Sequence, residues 1–320
     1  MAALSWQDLE LGDVIGAGQS AVVIKARLRR PVAGLPEGSV VAVKRYKQWV
    51  LEQPGQLERI FREFDAGRTV HHENLVLVLG VLIDDGGRPA LVMRYYDGPT
   101  LEDVLGKARR DKAALPVASG FRILRGLASA IDALHQNSII HRDIKPGNVI
   151  MTGNGPVLAD LGVIRSDSWP EQTTAGVFLG TIRYAAPEYL FGEAYDHRID
   201  LYSFGAISYE VLVGRQFFER QQNWARLVAA KVTTHAMITR SRRVERLISK
   251  AKSLIEAVLE HTICPADRRD LDLGSFVCAM DHEWWDIDVS IENGHLVPRV
   301  ETARQPGAVR QRRRVRERPW

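Results

Sequence analysis

Ile140-His141-Arg142-Asp143-Ile144-Lys145-Pro146-Gly147-Asn148 is the stretch on which the reading of this chain turns. Asp143, Lys145 and Asn148 place a carboxylate, an ammonium and an amide oxygen within six residues. That set suits phosphoryl transfer. The carboxylate orients an attacking hydroxyl and takes its proton, the cation steadies the transferred group, and the amide oxygen is a ligand for Mg²⁺. A polar loop that merely caps a helix is the plain alternative.

Reading outward, Asp160-Leu161-Gly162 begins twelve residues past Asn148, after the strand-like Val157-Leu158-Ala159. An aspartate at a strand end followed by glycine suits a hard cation. Near the N-terminus, Gly16-Ala17-Gly18-Gln19-Ser20-Ala21-Val22-Val23 sets two glycines between apolar runs, where backbone N–H groups can approach phosphate oxygens. A Gly-x-Gly turn on its own is more often a plain hairpin. Val41-Ala42-Val43-Lys44 ends a β-branched run on a lysine that would sit beneath this loop. Such a lysine needs an anion. Glu63 can supply it from a helix expected over about Gln56–Thr69, where Leu57, Ile60, Phe61 and Phe64 recur at helical spacing. Glu58 and Glu52 compete for the same role.

Strand-like runs at Val14–Ile15, Val22–Lys25, Val40–Lys44, Leu75–Ile83 and Pro89–Arg94 fill the first part of the chain, with a turn at Asp84-Asp85-Gly86-Gly87. From about Leu101 the pattern becomes helical. Phe121, Leu124, Leu127, Ile131 and Leu134 form one stripe, and Ile199–Val213 and Val244–His261 read as further helices. A strand-rich part followed by a helix-rich part predicts an α+β chain of two lobes.

In this order the elements resemble the protein kinase superfamily, from about Leu9 to Asp281. The glycine loop, Lys44, Glu63 and His72-Glu73-Asn74-Leu75-Val76 are followed by His141-Arg142-Asp143, Asp160-Leu161-Gly162, Ala186-Pro187-Glu188, Asp200-Leu201-Tyr202-Ser203-Phe204-Gly205 and Arg268. The resemblance implies a bilobal kinase fold over residues 1–283, with lobes at about 9–94 and 97–283. It implies ATP and Mg²⁺ as ligands. Ile15, Gly16, Ala17, Gly18, Gln19, Ser20 and Ala21 are implied to cover the nucleotide. Lys44 is implied to hold its α- and β-phosphates while pairing with Glu63. Val23, Ala42 and Ile150 are implied to sandwich adenine, with Met93 as gatekeeper and the backbone of Arg94 and Tyr96 on the adenine edge. Asp143 is implied as base, Lys145 as the charge-stabilising cation, and Asn148 and Asp160 as Mg²⁺ ligands. Asp200 is implied to brace the His141–Arg142 turn, and Glu188 to pair with Arg268 or Arg269.

Lys145, two residues after Asp143, and Thr181 before Ala186-Pro187-Glu188 match the serine/threonine class, in a bacterial-type form. The acceptor is then a protein serine or threonine. Arg142 before the aspartate implies activation by phosphorylation between Ser166 and Thr181, with Thr173 and Thr174 favoured. Three positions depart from the family pattern. Ala21 replaces a loop glycine, Leu161 a phenylalanine, and Gly67 a large apolar residue. Gly67 supports one rival reading, a scaffold that binds without transferring phosphate.

With 45% hydrophobic residues, a sizeable core can form. Cys264 and Cys278 make no metal motif, and no signal peptide or bilayer-length apolar run is present, so a cytoplasmic setting is expected. The net charge of +4 is uneven, because Arg310–Arg318 contributes +5 and leaves −1 elsewhere. That segment is expected to be a disordered tail open to an acidic partner, a membrane surface or nucleic acid. A second rival reading is therefore a nucleic-acid-associated protein acting through this tail. Within the extension 284–320, Asp286–Glu292 and His295–Val300 alternate around Asn293-Gly294, a hairpin pattern over 286–300.

Overall fold

Strand alternation explains the N-terminal sheet. Successive side chains of Val40–Tyr46 point to opposite faces, so Val41 and Val43 are wholly buried on one face while Ala42, Lys44 and Tyr46 point to the other. A computed structural model describes residues 4–18, 20–52, 54–113, 115–160, 182–216, 218, 262, 269, 271–273 and 276, and the backbone of 289–292 and 295–298. Its first lobe is a five-stranded sheet of order β1-β2-β3-β5-β4. The strands are β1 (Leu9–Ala17), β2 (Ala21–Leu28), β3 (Val40–Tyr46), β4 (Val78–Ile83) and β5 (Pro89–Arg94). All pairs are antiparallel. Asp84 fixes the β4–β5 turn, its carboxylate accepting from Gly86 N at 3.0 Å and Arg88 N at 2.9 Å.

One face of the sheet packs Leu9, Ala26, Leu28, Val41, Val43, Leu82, Ala90 and Val92 into a core of its own. Each fully buried leucine or valine among them contributes roughly 1.5–3 kcal/mol. The other face carries a row formed by Gly16, Val23, Lys44 and Leu91, register partners across four strands. Ala42 and Met93 pair one step along.

Against that second face lies α2 (Gln56–Thr69), preceded by the one-turn α1 (Gln48–Leu51). Its helical span agrees with the sequence pattern, but its inward stripe differs. Ile60, Glu63, Ala66 and Gly67 are buried, whereas Leu57 and Phe61 are 45% and 43% exposed. A helix presents only about 100° of its circumference to a sheet. The contact made by Ile60 and Glu63 sets that arc and turns Phe61 outward.

The second lobe is built on α3 (Leu101–Arg110), α4 (Val117–Gln136) and α6 (Arg198–Val213), with the single turn α5 (Pro187–Leu190) between. A capping box starts α3, where Thr100 Oγ1 accepts from Asp103 N at 3.1 Å and Asp103 returns a bond to Thr100 N at 3.0 Å. Phe121, Leu124, Leu127, Ile131 and Leu134 are at most 3% exposed, so the stripe read from sequence is the inner face of α4. Helix α6 is buried nearly all round. The short hairpin β6 (Val149–Thr152) and β7 (Gly155–Leu158) lies on α4. Gly126 permits the approach, since a Cβ there would lie 2.6 Å from Pro156 Cγ. The lobes are stitched by Val76 N to Leu158 O (2.9 Å) and Leu158 N to Asn74 O (2.8 Å).

Glu188 meets Arg269, whose Nη1 donates to Glu188 Oε1 at 2.5 Å and to Arg198 O at 2.9 Å. Arg269 is therefore the partner, and Arg268 lies outside the described residues. Also outside them are Gln19, Leu161–Thr181 with Thr173 and Thr174, Val244–His261 and the arginine segment. In the extension, β8 (Val289–Glu292) pairs antiparallel with β9 (His295–Pro298), Val289 opposite Pro298 and Ile291 opposite Leu296. The outer pair Ile287 and Val300 lies beyond the described backbone. Among the described residues no helix is long and apolar enough to cross a membrane.

Candidate active site

Asp200, on the first turn of α6, organises the loop that carries Asp143. Its buried carboxylate accepts from His141 N at 2.8 Å and from Arg142 N at 2.9 Å, and His135 Nε2 lies 2.9 Å away. Those bonds hold Arg142 at φ 67, a left-handed conformation that a non-glycine residue adopts only when its surroundings demand it. Among the described residues Arg142 Nε is buried without a hydrogen-bond partner, and the guanidinium lies over the Tyr195 ring at 5.7 Å.

His141 then ties the loop to the strand end before Asp160. Its Nδ1 accepts from Asp143 N at 3.3 Å, and its Nε2 lies 3.2 Å from Ala159 O. A neutral ring protonated at Nε2 satisfies both contacts. Burial favours that form by pushing the imidazole below its ordinary pKa. Ala159 N also donates to Asn148 O at 2.8 Å.

The trio read from sequence converges on one carboxylate oxygen. Asp143 Oδ2 accepts from Lys145 Nζ at 2.9 Å and from Asn148 Nδ2 at 3.1 Å. Asn148 Nδ2 also donates to Asp143 O at 2.8 Å. Both contacts use the amide nitrogen of Asn148, which turns its Oδ1 away from Asp143.

Lys44 sits at the centre of a second cluster. Its Nζ lies 2.8 Å from Glu63 Oε1 and 2.9 Å from Asp160 Oδ1. Burial alone would pull the ammonium down, but the neighbouring Asp160 and Glu63 charges outweigh it and hold the group well above its usual value. The Lys44 charge in turn holds Asp160 below the usual carboxylate range. Asp160 has φ 57, so the backbone bends sharply where this side chain is aimed. Glu63 is the anion that meets Lys44. Its competitors are engaged elsewhere, Glu58 with Arg62 and Glu52 with Gln48.

Glycine at 16 and 18 is required neither by a positive φ nor by internal crowding. A Cβ at Gly16 would lie 3.7 Å from Val23, and one at Gly18 would lie 3.6 Å from Ala21 O, both ordinary contacts. Gly18 N donates to Ala21 O at 2.9 Å, and Ser20 O accepts from Lys47 N at 2.9 Å, closing the turn. Ile15 and Ala17 are exposed, while Ala21 is buried against Tyr46, Ile60 and Leu91.

Ala42 is buried, and Val23, Met93 and Ile150 are half-buried. The Thr100–Ile150 bridge brings β6 beside the segment that joins the lobes. In that segment Arg94 N is already bonded to Leu77 O at 2.9 Å. The Tyr96 hydroxyl accepts from Leu77 N at 3.3 Å and reaches Leu75 O at 3.4 Å, pinning the connection to the residues before β4.

Sequence reasoning missed Tyr46 and His135. Tyr46 donates to Glu63 Oε2 at 2.8 Å. The signal for it was strand alternation, since residues 44 and 46 share a face. His135 had none, because it reaches Asp200 across 65 residues of chain.

A family model described as protein kinase domain matches residues 9–284. The chain is 36% identical over 215 residues to a probable serine/threonine-protein kinase of Streptomyces coelicolor, covering 65% of this chain and 30% of that protein. It is 32% identical over 237 residues to serine/threonine-protein kinase Pkn1 of Myxococcus xanthus, covering 72% and 32%. It is 33% identical over 218 residues to serine/threonine-protein kinase PknB of Mycobacterium leprae, covering 65% and 33%. The chain thus spans about a third of the length of these curated relatives.

Proposed function

The chain belongs to the protein kinase domain family, and from that premise we propose that it transfers the γ-phosphoryl group of ATP to serine or threonine hydroxyls of proteins. The observation that carries this reading is the shared setting of the two clusters. His141 and the Ala159–Asn148 bond join the loop of Asp143, Lys145 and Asn148 to the strand end where Asp160 meets Lys44.

In this reading Asp143 takes the proton of the acceptor hydroxyl as its oxygen bonds to the γ-phosphorus and the bond to the ADP oxygen breaks. Lys145 lies against Asp143, where it can balance charge on the transferred group. Lys44, kept charged by Glu63 and Asp160, meets the α- and β-phosphates. Val23, Ala42 and Ile150 offer apolar surface to adenine beside Met93, and the Arg94 carbonyl and Tyr96 backbone offer polar groups to its edge. The unencumbered glycines of the 15–21 turn fit a backbone that closes over phosphates.

The donor set suits Mg²⁺. Asp160 is held ionised by Lys44, and Asn148 keeps its amide oxygen turned away from Asp143. Among the described residues no group of three or more His, Cys, Asp or Glu could hold a metal ion by itself. A cation held by Asp160 and Asn148 would therefore draw further oxygens from the nucleotide, as Mg²⁺ does in phosphotransfer sites. When bound it neutralises charge on the β- and γ-phosphates.

Lys145 and Thr181 support the serine/threonine class, and the printed names of the relatives agree with it. Arg142 Nε, which has no hydrogen-bond partner among the described residues, supports capture of a phosphate on the 161–181 segment. Gly67 does not displace Glu63, because α2 runs unbroken and the Lys44 bond is made. The scaffold reading therefore gains nothing from it.

Incubation with radiolabelled ATP, Mg²⁺ and a generic acceptor protein, followed by phosphoamino-acid analysis, is expected to yield phosphoserine and phosphothreonine. Absence of transfer would overturn the reading. Asp160→Ala is expected to remove Mg²⁺-dependent nucleotide binding, and calorimetry showing unchanged Mg²⁺–ATP affinity would refute that assignment.

A further inference from the structure

We propose that Tyr46 is a positioning residue of the phosphotransfer site, its hydroxyl latching one oxygen of Glu63 so that the other stays on Lys44. This rests on the kinase reading above and adds a residue to it. The geometry is closed on both sides. Tyr46 Oη donates to Glu63 Oε2 at 2.8 Å, and Lys44 Nζ donates to Glu63 Oε1 at 2.8 Å. All three residues are at most 6% exposed, so water does not compete for either carboxylate oxygen.

The latch answers a weakness in α2. That helix carries Gly67 where the resemblance leads one to expect a large apolar side chain, and it leaves Leu57 and Phe61 in solvent. Ile60, Ala66 and half-buried Phe64 remain as its inward apolar anchors among the described side chains. Burial also pushes Glu63 toward its neutral form, which would loosen its hold on Lys44. A second hydrogen bond opposes both tendencies, because a donor on a buried carboxylate stabilises its charge and fixes its rotamer. The donor is dependable. Burial holds the Tyr46 phenol well above its usual pKa, so it remains protonated.

Tyr46 sits on rigid structure. It is the last residue of β3, pairs with Ala21 across the ladder and packs with Ile60 and Leu91. Its ring also lies 5.2 Å from Lys44 Nζ. Phenylalanine preserves the packing and the ring, so Tyr46→Phe isolates the hydroxyl. Tyr46→Leu is a second hydroxyl-free variant should the first fold poorly.

The test is a double-mutant cycle on the full chain, using Tyr46→Phe, Glu63→Gln and both together. Initial rates are measured against ATP and against a generic acceptor protein, with Mg²⁺–ATP affinity by calorimetry and melting temperature alongside. Losing one hydrogen bond to a charged group predicts that Tyr46→Phe lowers kcat/KM for ATP about tenfold. The acceptor KM is expected to stay near the parent value, and the melting temperature to fall by only a few degrees, because Glu63 Oε2 is left buried without its donor. In the Glu63→Gln background the same change is expected to have little further effect. A Tyr46→Phe protein with the parent kcat/KM for ATP, or an equal loss in both backgrounds, overturns the latch. A parent chain without turnover overturns the kinase reading instead, and the cycle in Mg²⁺–ATP affinity then decides the latch alone.

Discussion

Asp143→Asn is expected to lower turnover by about 10²–10⁴-fold while leaving nucleotide affinity near that of the parent. Asp143 Oδ2 already accepts from Lys145 and Asn148. A carboxamide oxygen can take over both of those bonds. The carboxamide NH₂ then occupies the position of the other oxygen. It can neither accept a proton from a hydroxyl nor orient one as an acceptor. ATP is held in the proposed site by Lys44, Asp160, Asn148 and the apolar walls, none of which the substitution removes. Rate measurements with saturating ATP, paired with calorimetry and a melting curve, separate these effects. Undiminished turnover in the purified variant would overturn Asp143 as the base. Loss of nucleotide binding would show that the carboxylate also shapes the nucleotide site.

Asp200→Ala is expected to damage both stability and activity. It strands the buried N–H groups of His141 and Arg142 and leaves His135 Nε2 without its partner. Each unsatisfied buried donor costs about 1–3 kcal/mol, so the two backbone groups alone cost about 2–6 kcal/mol. For a chain of this size the melting temperature falls on the order of 10 °C. Activity falls further, because the left-handed setting of Arg142 loses the acceptors that enforce it and Asp143 loses its aim. Asp200→Asn separates the two contributions. Its single carbonyl oxygen can serve one N–H while its NH₂ faces the other, so an intermediate melting temperature with still-depressed turnover is expected. An Asp200→Ala protein with parent stability would mean the three donors find other acceptors, and the brace would be refuted.

These two residues show how unevenly the site is written along the chain. Asp143, Lys145 and Asn148 are close in sequence, and a tight loop with Pro146 and Gly147 keeps them near one another, while Asp200 sets the loop's aim. Their convergence was legible before any fold was known. The partner of Lys44 was narrower but not unique, since Glu52, Glu58 and Glu63 all lay within reach of a helix following β3. Which of them turns inward depends on the rotation of α2, and Ile60 packing against Leu91 and Tyr46 sets that rotation. The same rotation explains why Leu57 and Phe61, apolar and correctly spaced, are on the surface.

What the amino-acid sequence determined by itself was whatever depends on neighbours along the chain. It determined the β-branched alternation that makes β3, the Asp84 turn, the buried stripe of α4 and the Asp143 loop, because local dihedral preferences and periodic burial need no distant partner. Tertiary structure decided what depends on residues far apart. It set Arg269 on Glu188, chose Glu63 over its rivals for Lys44, and brought Asp160 to Lys44, His135 to Asp200 and Tyr46 to Glu63. Residues of like charge within reach of one partner are equivalent to any local rule. Only the packed core, with its few directions of approach and its penalty for unpaired polar groups, makes one of them the partner.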